Sequence, residues 1–183
     1  MIVVSLRSVK VWDLFVRGAH WALLLACVLA WFSHGGLPTT HRIAGYAVAT
    51  LVIARIAWGF VGSHHARFTS FVPLSLRLPD YAWAMLRGRE SRFVGHNPAG
   101  TVMILALLGA LVLVSASGVL IDTPSWRDFR PLHELHAAAS DVLMLLAVIH
   151  VLGVLYASYR HRENLVKSMF TGTKNAADSS PDL

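Results

Sequence analysis

Four of the ten histidines in this 183-residue sequence lie within or at the rim of long apolar stretches and can face the interior of a helix bundle. They are His20, His41, His136 and His150. A polar side chain inside a bilayer is costly, so a histidine there indicates a functional role by default. His136 and His150 are fourteen residues apart, which on one helix leaves them on the same face with a rise of about 21 Å. That spacing favours two cofactors stacked along the helix over one metal ion held by both.

Paired imidazoles at such positions can bind a haem iron from both sides. Two histidines on opposite faces of a haem give a six-coordinate iron without an open position, which suits electron transfer. Small residues that leave bare helix surface for a porphyrin lie near the ligands, including Gly45, Gly153 and residues 137–139. The plain structural alternative is that each histidine hydrogen-bonds a neighbouring helix and that the small residues serve helix packing.

Four stretches are long enough to place these histidines in a membrane, since a spanning helix needs about 20 mostly apolar residues. We predict the spans at residues 14–34, 41–61, 99–121 and 133–157. The predicted fold is all-α, a four-helix up-down transmembrane bundle that forms one domain over residues 14–170 and holds two haems b in its core. A cytoplasmic N-terminus, residues 1–13, precedes it, and a flexible cytoplasmic tail, residues 171–183, follows it.

Depth within the spans assigns the four histidines to pairs. His20 and His150 both lie about 10 Å inside the same side of the membrane, whereas His41 and His136 lie within a few residues of the opposite ends of their spans. Pairing His20 with His136 and His41 with His150 would place the two members of each pair at depths that differ by about 20 Å. We therefore predict an inner haem iron ligated by His20 and His150 and an outer haem iron ligated by His41 and His136.

Charge indicates a membrane topology and not a nucleic-acid partner. The chain is 55% hydrophobic and only 14% charged, with a formal net charge of +6, whereas soluble domains carry about a quarter charged residues. With alternating spans, most of the basic residues, Arg7 and Lys10 among them, fall on one side. The positive-inside rule then predicts that both termini are cytoplasmic.

Two polar residues inside the spans need a separate explanation. Arg55 is fourteen residues after His41 and so shares its face, at the depth of the inner haem. Because a guanidinium pairs well with carboxylates, we predict that Arg55 binds a propionate of that haem; snorkelling to the interface is the alternative. Asp141 has no assigned role. The remaining histidines at the cytoplasmic rim are interpreted as interfacial residues, one or two of which could line a quinone or proton entry site: His64, His65, His96 and His161.

Other short features limit the remaining possibilities. Cys27 is the only cysteine, so the sequence predicts no disulfide within the chain, no covalent c-type haem and no cysteine-bound iron–sulfur cluster. Residues 24–27 faintly resemble a lipobox, but the apolar run continues too far for a signal peptide. Residues 79–88 are predicted to form a short interfacial helix, with Pro79 at its start and Trp83 in the headgroup zone.

Several segments in order carry a family resemblance. They include Gly18-Ala19-His20-Trp21, His41-Arg42-Ile43-Ala44-Gly45-Tyr46, Arg55-Ile56-Ala57-Trp58-Gly59-Phe60, Gly95-His96-Asn97-Pro98-Ala99-Gly100, His150-Val151-Leu152-Gly153 and His161-Arg162-Glu163-Asn164. From about Val11 to Gly172 the chain resembles the bacterial cytochrome b561 and nickel–iron hydrogenase b-type cytochrome family. The resemblance implies a four-helix di-haem fold in which helices 1 and 4 hold one haem and helices 2 and 4 hold the other. It also implies electron transfer between the quinone pool and a redox partner at the outer face.

One segment departs from the family pattern. The family segment at the first histidine of helix 4 commonly reads His-Glu and then Ala-Asn. This chain instead has His136-Ala137 and then Ser140-Asp141, and its His133-Glu134 lies one turn earlier. His133 is seventeen residues before His150, which turns it about 100° away from that ligand. We therefore prefer His136 as the ligand and keep His133 as the alternative.

The leading functional hypothesis is a membrane di-haem cytochrome b without substrate chemistry of its own. It would pass electrons between the quinone pool and a c-type cytochrome, a dehydrogenase or a hydrogenase. The alternatives are a stand-alone oxidoreductase, such as a superoxide oxidase that reduces quinone, and a non-redox transporter. The short outer loops leave little room for a built-in active site, which favours docking of a redox partner.

Overall fold

The computed structural model describes residues 8–175, and four of the helices in this range are long and apolar enough to cross a membrane. In chain order the helices are α1 (Leu14–Ser33), α2 (Pro38–Val61), α3 (Phe68–Phe71), α4 (Leu78–Leu86), α5 (Pro98–Ile121), α6 (Arg130–Arg160) and α7 (Leu165–Thr171). The four long helices, α1, α2, α5 and α6, correspond to the four predicted spans. Single 3-10 turns cover His64–Ala66 and Val72–Arg77.

Two of the long helices extend beyond the predicted spans by three residues at one or both ends. α2 begins at Pro38, three residues early, because proline is well suited to the first turn of a helix. α6 is three residues longer at each end, and its first turn carries an ion pair between Arg130 Nε and Glu134 Oε1 at 2.9 Å. Such a pair at positions i and i+4 stabilises a solvated helix end. Apolar length therefore located the segments that can lie within a membrane but not the polar turns that continue the helices.

Contacts group the chain into two compact units. We call one the central unit, which comprises Gly18–Trp58 and Leu105–Ile149. The other is the terminal unit, which comprises residues up to Arg17, Gly59–Ile104 and residues from His150 onward. Each unit contains a part of every long helix, since the division cuts across the helices and not between them. The single-domain and up-down arrangements stay predictions.

Small buried residues form the core of the central unit. Ala26 of α1 and Val48 and Val52 of α2 are buried together. Larger apolar side chains pack around this cluster: Leu23, Cys27, Ile56, Leu108 and Leu111. Because alanine and valine are short, the helix backbones approach closely here, as is usual where helices pack within membranes.

A short β-ribbon closes the terminal unit and differs from the predicted all-α fold. Strand β1 (Ser8–Lys10) pairs antiparallel with β2 (Thr173–Asn175), with Val9 opposite Lys174. Thus the first part of the segment predicted as a flexible tail, residues 171–175, contains the end of α7 and a strand. Strands of three residues are too short to leave a periodic pattern in the sequence, so sequence reasoning missed them. Residues 1–7, including Arg7, and residues 176–183 of the predicted tail lie outside the described range.

The predicted interfacial helix is present as α4, with bounds Leu78–Leu86 instead of 79–88. It ends early because Arg87 leaves the helix and Gly88 adopts a left-handed conformation, with φ of 64°. Tyr81 faces inward, and burial raises the pKa of its hydroxyl. On the other side, Trp83 is 58% exposed, and the Arg87 guanidinium carbon lies 4.3 Å from a ring centroid of that tryptophan. α4 therefore has Tyr81 on its inner face and Trp83, beside Arg87, on its outer face.

Two ion pairs hold the loop after α4 to the end of α6 and the segment that follows it. Arg160 Nε lies 2.8 Å from Glu90 Oε1, and only 1% of the Glu90 side chain is exposed. Arg92 and Glu163 form the second pair at 3.1 Å. Burial is the main cause that lowers the pKa of the neighbouring His161, and the charge of Glu90 opposes that shift. The loop is thus fixed by one charge pair that is shielded from solvent on both sides and by a second in which the carboxylate is buried and the Arg160 side chain is 40% exposed.

Gly172 is the residue on which closure of the ribbon depends. Its carbonyl oxygen accepts from Val11 N at 2.9 Å and from Trp12 N at 3.1 Å. Its φ is 82°, and a Cβ at this position would lie 2.7 Å from the Trp12 carbonyl oxygen. We expect Gly172→Ala to weaken this closure by about 1–2 kcal/mol. Hydrogen exchange should then be roughly tenfold or more faster at the Val11 and Trp12 amides.

Gly36→Ala is the matched control, because a Cβ at residue 36 would have no heavy atom within 4 Å. That variant should leave the exchange of both amides unchanged. Equal protection of Val11 and Trp12 in Gly172→Ala and in the unsubstituted protein would contradict the proposed dependence on Gly172.

Candidate functional site

The imidazole rings of His41 and His136 lie close together within the central unit. Their ring centroids are 6.2 Å apart and their planes are inclined at 84°. His41 lies in the first turn of α2, and His136 lies two turns into α6. Metal–nitrogen distances of about 2 Å place the centres of two imidazoles bound to opposite sides of one metal about 6 Å apart. The observed separation therefore fits an iron atom between the two rings.

Hydrogen bonds determine which ring nitrogen of each histidine carries the proton. His41 Nδ1 lies 2.8 Å from the Ala30 carbonyl oxygen, and His136 Nδ1 lies 3.1 Å from the Val114 carbonyl oxygen. A carbonyl can only accept, so Nδ1–H donates in both cases and the lone pair is on Nε2. Within residues 8–175, no hydrogen bond engages either Nε2. Histidines that bind metals typically have this arrangement, with the second nitrogen donating to a carbonyl or carboxylate.

The partner of His41 follows from where α1 ends. Ala30 belongs to the last turn of α1, which ends at Ser33. Carbonyls in the last turn of a helix have no partner within the helix and need one elsewhere. The imidazole of His41 supplies a donor to the Ala30 oxygen, while Ser33 Oγ lies 3.2 Å from the same atom. One contact thus both caps α1 and orients the ring of His41.

Ser117 and Gly118 of α5 complete the surroundings of His136, and sequence reasoning missed both. Ser117 is 2% exposed, and its Oγ lies 3.0 Å from His136 Nδ1. A Cβ at residue 118 would lie 3.1 Å from Cε1 of His136, so the glycine makes room for the ring. The available signal was the run Ser115-Ala116-Ser117-Gly118 inside a strongly apolar span. Serines in helices usually bond to their own backbone, so the sequence alone did not identify a partner.

The site also leaves space where a porphyrin would lie. Gly45 follows His41 by about one turn, and a Cβ at residue 45 would have no heavy atom within 4 Å. Among the described residues, no three His, Cys, Asp or Glu side chains converge to hold a bare metal ion. A haem requires only two protein ligands, because the porphyrin supplies four nitrogens. The imidazole pair and the open surface at Gly45 therefore fit a haem.

An ion pair and a hydrogen bond hold the start of α2 near the end of α5. The Asp122 carboxylate accepts from Tyr46 Oη at 2.9 Å and lies 3.6 Å from Arg42 Nη1. More than half of the Arg42 side chain is exposed, so its pair contributes little to stability. Its geometric effect is to connect the first turn of α2, which carries His41, to the residue that follows α5.

The other predicted ligands lie in different units. His20 is half-buried in the central unit, with its ring centroid 5.2 Å from that of Trp21 in an edge-on arrangement. His150 is half-buried in the terminal unit. Arg55 is half-buried in α2, within the central unit. The pairing of His20 with His150 and the role of Arg55 at a propionate stay predictions.

His133, the alternative ligand, has a different environment from His136. It is exposed, and its Nε2 lies 2.7 Å from the Arg127 carbonyl oxygen. That bond places the proton on Nε2, the nitrogen that is left for a metal in His41 and His136. Asp141 is exposed on α6. The geometry therefore favours His136 over His133 as the ligand that accompanies His41.

The histidines predicted at the cytoplasmic rim, which are His64, His65, His96 and His161, belong to the terminal unit. The ring of His96 lies between those of Trp12 and Phe71, with a centroid separation of 4.8 Å from each. His65 lies against Gly95, where a Cβ would be 2.9 Å from its ring, and His64 is exposed. His96 and His65 therefore pack against the surrounding loops. A role at a quinone or proton entry site stays a prediction.

Comparison with known proteins matches this chain to one family over most of its length. The model of the family described as prokaryotic cytochrome b561 matches residues 11–172. Several relatives bear the name probable Ni/Fe-hydrogenase B-type cytochrome subunit. Two are from Bradyrhizobium diazoefficiens (24% identical, covering 93% of this chain and 87% of the relative) and Azotobacter vinelandii (24%, 96% and 92%). A third is from Azotobacter chroococcum (25%, 96% and 92%).

Replacement of each α6 histidine tests which one binds iron. We expect His136→Ala to remove one haem signal, because the iron would keep only the single axial ligand His41. His133→Ala should retain both the haem content and the spectrum, since the structure assigns its Nε2 to a backbone carbonyl. The measurement is the reduced-minus-oxidised spectrum of each purified variant, scaled to protein concentration. Loss of haem in His133→Ala, with retention in His136→Ala, would reverse the assignment.

Proposed function

The chain belongs to the prokaryotic cytochrome b561 family, and we propose that it holds two haems b and carries electrons across the membrane between the quinone pool and a redox partner. Membership of the family makes it a multi-pass membrane protein that binds haem b and transfers electrons. The number of haems, the quinone and the partner belong to the proposal. The observation that carries the proposal is the pair formed by His41 and His136.

The central-unit pair would hold the outer haem. When bound, haem b supplies an iron that accepts and releases one electron. His41 and His136 would occupy both axial positions, so no position remains open for oxygen or a substrate. The hydrogen bonds from Nδ1 hold each ring in one orientation, so the two rings would need little rearrangement if the charge of a bound iron changed. This arrangement favours electron transfer over substrate chemistry.

The inner haem is supported by spacing within α6. His136 and His150 lie on one continuous helix, Arg130–Arg160, about 21 Å apart along its axis. Such a rise allows electrons to pass between two haems that share this helix. His20 is the proposed second ligand of the inner iron, and Arg55 the proposed partner of a propionate. With the basic residues on the inner side, both termini would be cytoplasmic and the membrane would be the bacterial inner membrane.

The names of the relatives indicate a class of partner. Each relative described above is named a Ni/Fe-hydrogenase B-type cytochrome subunit. We therefore place a hydrogenase first among the redox partners, ahead of a c-type cytochrome or another dehydrogenase. In that role the chain would carry electrons between the partner at one face and quinone at the other.

Anaerobic mixing with quinol tests the connection to the quinone pool. The purified, oxidised protein in lipid vesicles is mixed with a short-chain quinol in excess, and the absorption band of ferrous haem b is followed. We expect the haem to be reduced by the quinol without any added protein, since quinone is the proposed carrier. His133→Ala serves as the matched control and should be reduced as completely as the unsubstituted protein.

The result that would contradict the proposal is a haem that dithionite reduces fully, but that quinol does not reduce and quinone does not reoxidise. Reduction by superoxide in place of quinol, with electrons then passed to quinone, would favour the stand-alone oxidoreductase.

A further inference from the structure

We propose that Ser117 is a positioning residue that fixes the proton on His136 Nδ1 and thereby lowers the reduction potential of the haem held by His41 and His136. This inference rests on the proposed function, because it assigns a role toward the iron that this pair would hold. It concerns a hydroxyl that neither the family comparison nor the spacing of histidines identifies.

The hydrogen bonds around Ser117 run in one direction. Ser117 Oγ lies 2.8 Å from the Leu113 carbonyl oxygen and 3.0 Å from the Val114 carbonyl oxygen. A hydroxyl has one proton, and both of these oxygens can only accept, so that proton points back along α5. The lone pairs of Oγ are then left for His136 Nδ1 at 3.0 Å. Ser117 therefore acts as an acceptor toward His136 and favours the tautomer that has a free Nε2.

The two histidines of the pair differ in how many acceptors lie within hydrogen-bond distance of Nδ1. His41 Nδ1 has one acceptor, the Ala30 carbonyl oxygen at 2.8 Å. His136 Nδ1 has two acceptors, Ser117 Oγ and the Val114 carbonyl oxygen at 3.0 and 3.1 Å. Because the Ser117 hydroxyl also donates to a carbonyl, its oxygen is polarised and accepts more strongly. His136 is thus the ligand whose basicity depends on a replaceable side chain.

A stronger hydrogen bond from Nδ1–H makes an imidazole a better electron donor to its metal. Ferric iron gains more from such a donor than ferrous iron does, so the reduction potential falls. Hydrogen bonding to the ligands and burial are two of the means by which proteins set haem potentials. With 2% exposure, Ser117 exerts its effect in a region shielded from water. The adjacent Gly118 contributes by leaving room for the ring, since a Cβ at this position would lie 3.1 Å from Cε1 of His136.

The plain structural explanation is that Ser117 only bonds to its own helix. Serine does so often in membrane helices. In that case the substitution of Ser117 would change helix stability without a selective effect on one haem. The potential of that haem and its spectrum therefore distinguish the two explanations, whereas expression level and thermal stability do not.

Potentiometric titration of three variants of the haem-loaded protein provides the test. Ser117→Ala should raise the midpoint potential of one haem and leave the other unchanged. A tenfold loss of the preference for ferric over ferrous iron corresponds to a rise of about 59 mV. Ser117→Thr keeps the hydroxyl and should restore the original potential. Ser115→Ala is the matched control, because Ser115 lies on the same helix with a buried hydroxyl that has no hydrogen-bond partner among the described residues.

Three outcomes would overturn the proposal. One is an unchanged midpoint potential in Ser117→Ala with full haem content. Another is an equal rise in Ser115→Ala, and the third is failure of Ser117→Thr to restore the value. If Ser117→Ala does not assemble, Ser117→Thr decides the question through its midpoint potential and its low-spin ferric resonance signals. A potential and signals like those of the unsubstituted protein support the proposal, and altered ones oppose it. Failure of the proposed function is recognised separately, since His136→Ala would then leave the haem content unchanged.

Discussion

Every polar group on a helix inside a membrane must find a partner within the protein, and for a histidine this requirement determines which nitrogen is left for a metal. In the central unit, the Nδ1 atoms of His41 and His136 donate to backbone carbonyl oxygens. The Nε2 atoms are consequently the ones available, and the rings are close enough to hold one iron. Haem binding, ring orientation and the proposed control of the reduction potential all require that Nδ1 carries the proton and that Nε2 is left for the iron.

The same requirement explains why apparently featureless segments matter. Ala30 and Val114 contribute only a backbone oxygen to the site, and any side chain that kept the helix in place could do so. A carbonyl has two lone pairs, so Val114 can accept from His136 while it still takes part in its own helix. Gly118 contributes only the absence of a Cβ. The site therefore depends on where α1 ends and on how closely α5 approaches, and much less on which apolar residues surround it.

The sequence was sufficient for features that repeat or that are costly in a membrane. Apolar length located the four long helices, but α2 and α5 begin at prolines, Pro38 and Pro98, that precede the starts of the predicted spans. The cost of burying histidine pointed to His41 and His136 as ligands, and helical rotation favoured His136 over His133; these ligand assignments stay predictions. The pairing of all four histidines into two haem sites stays a prediction. Contacts between residues that lie far apart in sequence could not be predicted. Ser117 bonds a residue 19 positions away, and β1 pairs with a strand some 165 positions later. Neither contact follows from local periodicity.

The central claim is that one chain of this family holds two haems b, one of them between His41 and His136. A pyridine haemochrome determination of haem b, divided by protein concentration from amino-acid analysis, tests it most directly. The protein should be expressed with ample haem and purified in mild detergent. The predicted result is two haems b per chain, falling to one in His41→Ala. One haem per chain in the unsubstituted protein, or two in His41→Ala, would contradict the claim.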